Sequence, residues 1–254
     1  MNHQKICVAQ IKSIKGNIEL NIQAHIQIIH RASEAGADLI IFPELSLTGY
    51  HPSICDKLTI SHDDASLDVF DKISDQSKMT IIVGAPLKIQ EGVAISSFIF
   101  SPNSARNIYT KQYLHEDELP YFKVTGHDDN LIGESPRIAI SICYELTVPA
   151  HHHRATQNNA NIYLSSVAKS KSDMIRSHKI LADISCNTGM STLVTNSVGM
   201  CEEYMCGGYS AVWNKKGEIL DHLNEVDEGI LIYDYSNDRI HYKWQSNNDN
   251  SLSL

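Results

Sequence analysis

The sequence predicts an α/β fold in which two β-sheets are sandwiched between layers of helices. Apolar, strand-like runs alternate with amphipathic stretches in successive beta-alpha-beta units, and a paired-strand passage interrupts the alternation near the middle of the chain. The composition supplies a core for such layers. Of 254 residues, 42% are hydrophobic and 20% charged, and no Pro/Gly/Ser-rich linker divides them. One domain over residues 1–235 is expected, followed by a polar C-terminal tail over 236–254.

The elements follow in order. Residues 5–11 read as a buried strand, and Asn17 as the N-cap of a helix whose apolar face is Ile18, Ile22, Ile26 and Ile29; Gly36 closes it before a strand over 38–42. A second helix near 64–77 leads into the strand Met79–Gly84. Two alternating runs, Ala94–Phe100 and Ala105–Thr110, flank the turn-forming Ser101-Pro-Asn-Ser104 as a hairpin. The second half repeats the theme without repeating the sequence: strand 137–142, a helix from Val148, strand 161–165, a helix near 172–187 and strand 191–196. Strands around 208–213 and 218–221 are joined by Lys215-Lys216-Gly217.

Charge and cysteine usage narrow the function classes. A net charge of -9 argues against a nucleic-acid partner. No run of 18 apolar residues offers a membrane span, and the N-terminus leads straight into Ile6-Cys-Val-Ala-Gln10 rather than a signal segment, so a cytoplasmic location is expected. Six cysteines are too few for a disulfide scaffold in a chain of this length and are expected as thiols. Consecutive His151, His152 and His153 on a helix point about 100° apart and cannot converge on one ion. Cys201 and Cys206 lack a partner pair at metal-ligand spacing. Tyr121, Phe122 and Trp213 are candidates for either pocket or core.

Three strand-like runs each end in a reactive side chain: Leu39-Ile-Ile-Phe-Pro-Glu44, Ile108-Tyr-Thr-Lys111 and Ile138-Ala-Ile-Ser-Ile-Cys143. Such strand ends are where α/β proteins build their sites. A thiol nucleophile, a carboxylate to carry its proton and an ammonium to face the oxyanion together equip a site for covalent attack on an amide. Taken singly, each residue also has an ordinary reading: a small buried hydrophobe, a solvated loop carboxylate, a surface lysine. Pro43 fixes the backbone before Glu44, and burial there would raise its pKa toward that of a general base. A tight strand-to-helix turn after Cys143 would set its sulfur at a helix N-terminus, favouring thiolate below the free-thiol pKa of about 8.5.

The segments Phe42-Pro43-Glu44-Leu45-Ser-Leu47-Thr48-Gly49-Tyr50, Tyr109-Thr110-Lys111-Gln-Tyr-Leu114 and Ile142-Cys143-Tyr144-Glu145 resemble the three signature segments of the nitrilase superfamily of carbon-nitrogen hydrolases, in the same order and with matching separations. The resemblance extends through Asp117-Glu118-Leu-Pro-Tyr121-Phe122, Thr195-Asn196-Ser-Val-Gly199 and Cys206–Gly217 to about residue 233. It implies a four-layer alpha-beta-beta-alpha sandwich and a triad of Glu44, Lys111 and Cys143. It also implies a second glutamate a few positions after the lysine, assigned to Glu118 with Glu116 as the alternative. No metal or other cofactor is called for, and a homodimer or higher homo-oligomer is implied. The tail, with Trp244 as a plausible anchor, would cross to a partner subunit.

Substrate contacts are expected from Tyr50, Tyr144, Ser166 and Lys169. Where members of the superfamily commonly carry Asn-Pro-Ser-Ala-Trp, this chain has Ser165-Ser166-Val-Ala-Lys169, which points to a smaller and more polar acyl site. The helix residues Leu181-Ala-Asp-Ile-Ser-Cys-Asn187 also depart from the family pattern, where that helix commonly packs at the subunit interface. Tyr144 stands where true nitrilases usually show Trp, so a small linear amide, such as an omega-amide of a dicarboxylate, is favoured over a nitrile. With no synthetase domain and no membrane spans in the sequence, glutamine-dependent NAD synthetases and apolipoprotein acyltransferases are set aside. N-carbamoyl amine hydrolysis, a catalytically silent binding protein and a Cys-His hydrolase are the alternatives.

Overall fold

The computed structural model describes residues 3–126 and 130–246. Its first half contains β1 (Lys5–Gln10), α1 (Ile18–Glu34), β2 (Leu39–Ile41), α2 (Asp68–Ser77), β3 (Thr80–Ile89), β4 (Gly92–Phe100) and β5 (Asn107–Thr110). The second half continues with β6 (Leu131–Ile132), β7 (Ile138–Ile142), α3 (Pro149–Gln157), β8 (Ile162–Val167), α4 (Lys171–Thr188) and β9 (Ser191–Asn196). It closes with β10 (Val198–Cys201), β11 (Tyr204–Gly207), β12 (Ala211–Trp213), β13 (Ile219–His222), β14 (Gly229–Asp234) and β15 (Arg239–Gln245). One sheet has the order β15-β14-β1-β2-β3-β4-β5 and the other β13-β12-β9-β8-β7-β6, while β10 and β11 pair as a separate hairpin.

Both faces of the central strands are buried, which is why they read as unbroken apolar runs rather than alternating ones. Period-2 geometry sends Ile6, Val8, Leu39 and Ile41 to one side, where they meet Ile138, Ile140, Ile162 and Leu193 of the other sheet. Their neighbours Cys7, Ala9 and Ile40 point outward and pack with Ile28, Ile29 and Ala32 of α1 and Phe70 and Ile73 of α2. On the far side Ala139, Tyr163 and Val194 are covered by Ala155 of α3 and Met174, Leu181 and Ile184 of α4. Three apolar layers between four structural layers make the alpha-beta-beta-alpha sandwich. Within it, α1 begins as the sequence predicts: the Asn17 side chain accepts the Leu20 amide at 3.1 Å.

β3 and β4 are antiparallel, as are β4 and β5, so β5 runs in the same direction as β2 and β3. The C-terminal ends of β2 and β5 therefore lie along one edge of their sheet. β7, β8 and β9 run parallel in the opposing sheet.

The structure departs from the sequence reading in three places. The strand expected around 208–213 is only the short β12, and the stretch before it, to which no strand was assigned, forms the hairpin β10–β11, which joins Cys201 to Cys206 as a disulfide with Cα atoms 6.3 Å apart. Those two residues are not thiols as expected: the hairpin brings within bonding reach two side chains whose spacing alone gave no sign of pairing. The segment assigned to the polar tail forms β15, which pairs with β14 along the sheet edge, so the sheet continues past residue 235. Its alternation of Ile240, Tyr242 and Trp244 with charged neighbours is a half-buried edge pattern that polar composition conceals. Trp244 packs on the α1 side of its own chain, with the Arg31 guanidinium 3.9 Å from the ring centroid, rather than standing free as an anchor. The rest of the expected tail, residues 247–254, lies outside the described residues. Among the described residues, no helix is long and apolar enough to cross a membrane.

Because Trp244 fastens the edge strand to α1, Trp244→Ala should lower stability by about 2 kcal/mol, through lost burial and the lost cation–π contact. Chemical denaturation checks this; an unchanged midpoint would mean that β15 does not support the sheet.

Candidate active site

Glu44 lies three residues past the end of β2, in a segment whose every turn is supported from elsewhere. Pro43 cannot extend the ladder, and Leu45 takes a left-handed conformation with φ 51°, unusual for a branched side chain. Two buried polar residues of α1 hold this segment: the Asn21 amide donates to the Leu47 carbonyl at 2.9 Å, and His25 Nε2 meets the Ser46 hydroxyl at 2.9 Å. Burial lowers the His25 pKa to about 4, so the ring stays neutral in this role. β3 approaches at Gly84, where a Cβ would stand 2.4 Å from the Leu45 nitrogen and 2.6 Å from the Pro43 oxygen. Only glycine permits that approach.

The carboxylate so placed meets Lys111, the first residue after β5. Lys111 Nζ donates to Glu44 Oε1 at 2.8 Å and to Glu118 Oε1 at 2.6 Å, and all three side chains are at most 1% exposed. Burial by itself would lower the lysine pKa, but Glu44 and its other anionic neighbours override it and hold the ammonium above its ordinary range. Glu118 also accepts the Tyr50 hydroxyl at 3.0 Å and the His115 amide at 2.7 Å. Glu116 is exposed, so it is Glu118 that the fold brings to the lysine. Burial raises the pKa of Glu44 against the opposing pull of Lys111. Its second oxygen, Oε2, is buried without a hydrogen-bond partner among the described residues, while the Cys143 thiol interacts with the same carboxylate.

Cys143 follows β7 directly and has φ 49°, a strained conformation that turns the chain sharply and sets the side chain toward the cavity. The expected helix N-terminus is a single 3-10 segment, Cys143–Thr147. The expected low thiol pKa is not found: burial, and after it the Glu44 charge, push Cys143 up to about 12. One short turn cannot offset desolvation beside a carboxylate. Cys143 is therefore held as a thiol next to a base.

The sequence reading assigned no role to Glu145, although the motif contains it. Buried beneath the turn, its carboxylate accepts the amides of Ile142 at 2.7 Å and Gln112 at 2.6 Å, tying the residue before Cys143 to the residue after Lys111. Tyr109 donates to it at 2.8 Å, and His151 bridges Tyr109 and Tyr163 at 3.0 and 2.7 Å. This buried network absorbs the first of the three consecutive histidines. Burial raises Glu145 to about 7 despite its donors.

A cavity of about 360 Å³ opens onto Cys143 and Glu118, lined by Tyr50, His115, Asp117, Tyr144, Lys169 and Tyr204 among others. Of the four residues expected to contact substrate, Tyr50, Tyr144 and Lys169 line this cavity. Ser166 does not: it is buried, and its hydroxyl donates to the Phe42 carbonyl at 2.9 Å, binding β8 to the Glu44 segment. Phe122 and Trp213 belong to the core, whereas Tyr121 lines an adjoining outer cavity of about 370 Å³. A larger depression of about 540 Å³, between Lys12–Lys15 and the β10–β11 hairpin, contains none of the candidate residues.

Comparison with known proteins agrees with this geometry. The model of the carbon-nitrogen hydrolase family matches residues 5–242. The glutamine-dependent NAD(+) synthetase of Acinetobacter baylyi is 24% identical over 252 residues, covering 96% of this chain and 46% of that protein. Its counterpart from Thermotoga maritima is 22% identical over 248 residues, covering 92% and 42%. The chain thus spans about half the length of these curated relatives. The hydrolase in agr operon of Staphylococcus aureus is 22% identical over 235 residues and covered at 90% of each chain. Among solved structures, a cysteine-to-serine mutant of the amidase from Nesterenkonia AN1 superposes with a TM-score of 0.83 at 21% identity, over 94% of this chain and 95% of that one. Variants of the same amidase, one bound to butyramide and one with the acetamide moiety of fluoroacetamide added at its active site cysteine, superpose at 0.82. At such identity the likeness shows the fold.

Since Gly84 admits the backbone on both sides of Glu44, Gly84→Ala should destabilise the protein by about 1–3 kcal/mol and displace the carboxylate. Denaturation together with the rate of Cys143 alkylation reads both effects; an alanine variant with wild-type stability and reactivity would show that β3 does not position Glu44.

Proposed function

We propose that this chain, which belongs to the carbon-nitrogen hydrolase family, is a cysteine-dependent amidase that hydrolyses a small linear amide to a carboxylic acid and ammonia. The observation that carries the reading is the buried ammonium of Lys111 held at 2.8 and 2.6 Å between Glu44 and Glu118, with Cys143 beside it at the floor of the cavity. In this mechanism the unpartnered side of the Glu44 carboxylate takes the Cys143 proton as sulfur attacks the amide carbonyl. A thiol near 12 does not ionise spontaneously at neutral pH, so the base has to act in concert with the attack. Lys111 and a backbone N–H at Tyr144 stabilise the tetrahedral oxyanion. Collapse breaks the carbon-nitrogen bond, and Glu44 returns the proton to the departing ammonia. Water, activated by Glu44 and oriented with Glu118, then hydrolyses the thioester and frees Cys143.

Two further observations support a small, linear amide. The cavity is compact and its walls carry phenols and charges rather than a broad apolar surface, which suits a short polar acyl group. The curated synthetase relatives are named for their dependence on glutamine, itself a linear primary amide, and the Nesterenkonia amidase was captured with butyramide. An omega-amide of a dicarboxylate combines the same linear amide with a polar far end.

Ammonia release from a panel of linear amides, carbamoyl amines and nitriles tests the reading. Activity is expected on short amides. Cys143→Ala should abolish it, Glu44→Gln should lower kcat about 10²–10⁴-fold, and Lys111→Met at least about 10²-fold. Hydrolysis that survives in Cys143→Ala would refute the mechanism, and activity confined to carbamoyl amines or nitriles would refute the substrate class.

A further inference from the structure

In the form in which Glu44 can accept a proton, two carboxylates, Glu44 and Glu118, face the single ammonium of Lys111, all of them buried. Transfer of the Cys143 proton to Glu44 moves negative charge onto sulfur without changing the total, which stays at one excess negative charge. A buried excess charge is strongly disfavoured, and the cluster would relieve it by taking up a proton and keeping Cys143 an inert thiol. The reactive form therefore needs another cation facing it.

Lys169 is placed to be that cation. β7 and β8 are parallel neighbours with Ile142 opposite Ser166, so Cys143 and Lys169, which follow these strands, emerge at the same end and line the same cavity. The Lys169 backbone is clamped by one buried side chain: its N–H donates to Asn196 Oδ1 at 2.9 Å and its carbonyl accepts from Asn196 Nδ2 at 3.0 Å. The residue is half-buried, and among the described residues no carboxylate forms an ion pair with its ammonium. The other charges around the cavity are occupied. Asp173 bonds Arg176 and Ser170 and is also drawn on by the Lys169 charge, and Asp117 bonds His115 at 2.6 Å. Burial pushes the Tyr50 and Tyr204 phenols up, so both stay neutral, and Glu145 has its own donors below the turn. Burial and Glu44 push the Cys143 thiol up, and both Lys169 and Lys111 pull it back.

We propose that Lys169 is a charge-balancing positioning residue of this site, its ammonium holding the Glu44, Lys111, Glu118 and Cys143 cluster in the singly charged form from which sulfur attacks. The inference rests on Cys143 as the nucleophile and adds a cation that the Glu-Lys-Cys pattern does not contain. It stands where the resembling family segment commonly carries tryptophan, so the charge belongs to this chain rather than to the shared pattern.

The test follows Cys143 alkylation by iodoacetamide across the neutral to alkaline range in wild type and in Lys169→Met, Lys169→Gln and Lys169→Arg, with Cys143→Ala as the blank and thermal melting as the check on folding. The two neutral variants should shift the rate profile to higher pH by about one unit, about tenfold slower at fixed pH, and the arginine variant should follow wild type. Neutral-variant profiles that superpose on wild type would overturn the proposal. Equal slowing in the arginine variant would reduce Lys169 to a packing role and overturn it as well. A parallel series with iodoacetate covers the competing assignment: slowing with iodoacetate alone would make Lys169 a site for a substrate carboxylate instead. Alkylation does not require turnover, so the outcome stands apart from the amidase reading; an inert Cys143 in wild type would sink that reading itself.

Discussion

The arrangement of this site depends on one constraint: a lysine ammonium with no access to water. An isolated buried charge is too costly to keep, and the ammonium of Lys111 persists only because two carboxylates reach it at 2.8 and 2.6 Å. That requirement brings together chain segments 67 residues apart, one after β2 and the other after β5. Because those strands run the same way in one sheet, their ends are on the same edge, and the facing sheet delivers Cys143 opposite them. The sandwich thus acts as a clamp. Its two sheets pack through an apolar layer, and the buried cluster of Glu44, Lys111 and Glu118 lies at one end of that layer.

Two of the described non-glycine residues with positive φ, Leu45 at 51° and Cys143 at 49°, adjoin or belong to the buried cluster. Strain of this kind persists only when the surroundings over-determine it. Around Leu45 the determinants are Asn21, His25, Ser46 and the bare backbone of Gly84. Around Cys143 they are the paired amides on Glu145 and the chain of Tyr109, His151 and Tyr163 behind it. Residues that would pass for structural polar groups in a sequence are therefore what hold the geometry of the cluster.

Desolvation also sets the protonation pattern. The same burial that makes Glu44 a better base makes Cys143 a worse acid, so the site does not hold a standing thiolate. In the proposed mechanism proton transfer therefore accompanies bond formation, which favours reaction only when a carbonyl carbon is in place. The positive charges around the sulfur, buried Lys111 and half-buried Lys169, set how far that balance lies from the reactive form.

The residues that the fold gathers into the candidate site were legible in the sequence because each ends a strong apolar run, and a strand end is a local feature: Glu44, Lys111 and Cys143 could be singled out from a few neighbours apiece. The layer order was legible for the same reason, since near-continuous apolar strands need cover on both faces. What sequence alone could not supply depends on contacts between distant segments. β15 was hidden by its polar composition, and its partner β14 pairs in turn with β1, more than 200 residues away. The Cys201–Cys206 pairing exists only once β10 and β11 form a hairpin, and Ser166 turns out to bond a carbonyl of the opposite sheet rather than line the cavity. The supports at Asn21, His25, Gly84 and Glu145, and the high pKa of Cys143, are likewise properties of assembled space. By itself the sequence determined which side chains are the candidates at the strand ends and that a layered α/β scaffold presents them. Only the tertiary structure decided how they are charged and held, because burial and electrostatics act through distances that a linear order does not contain.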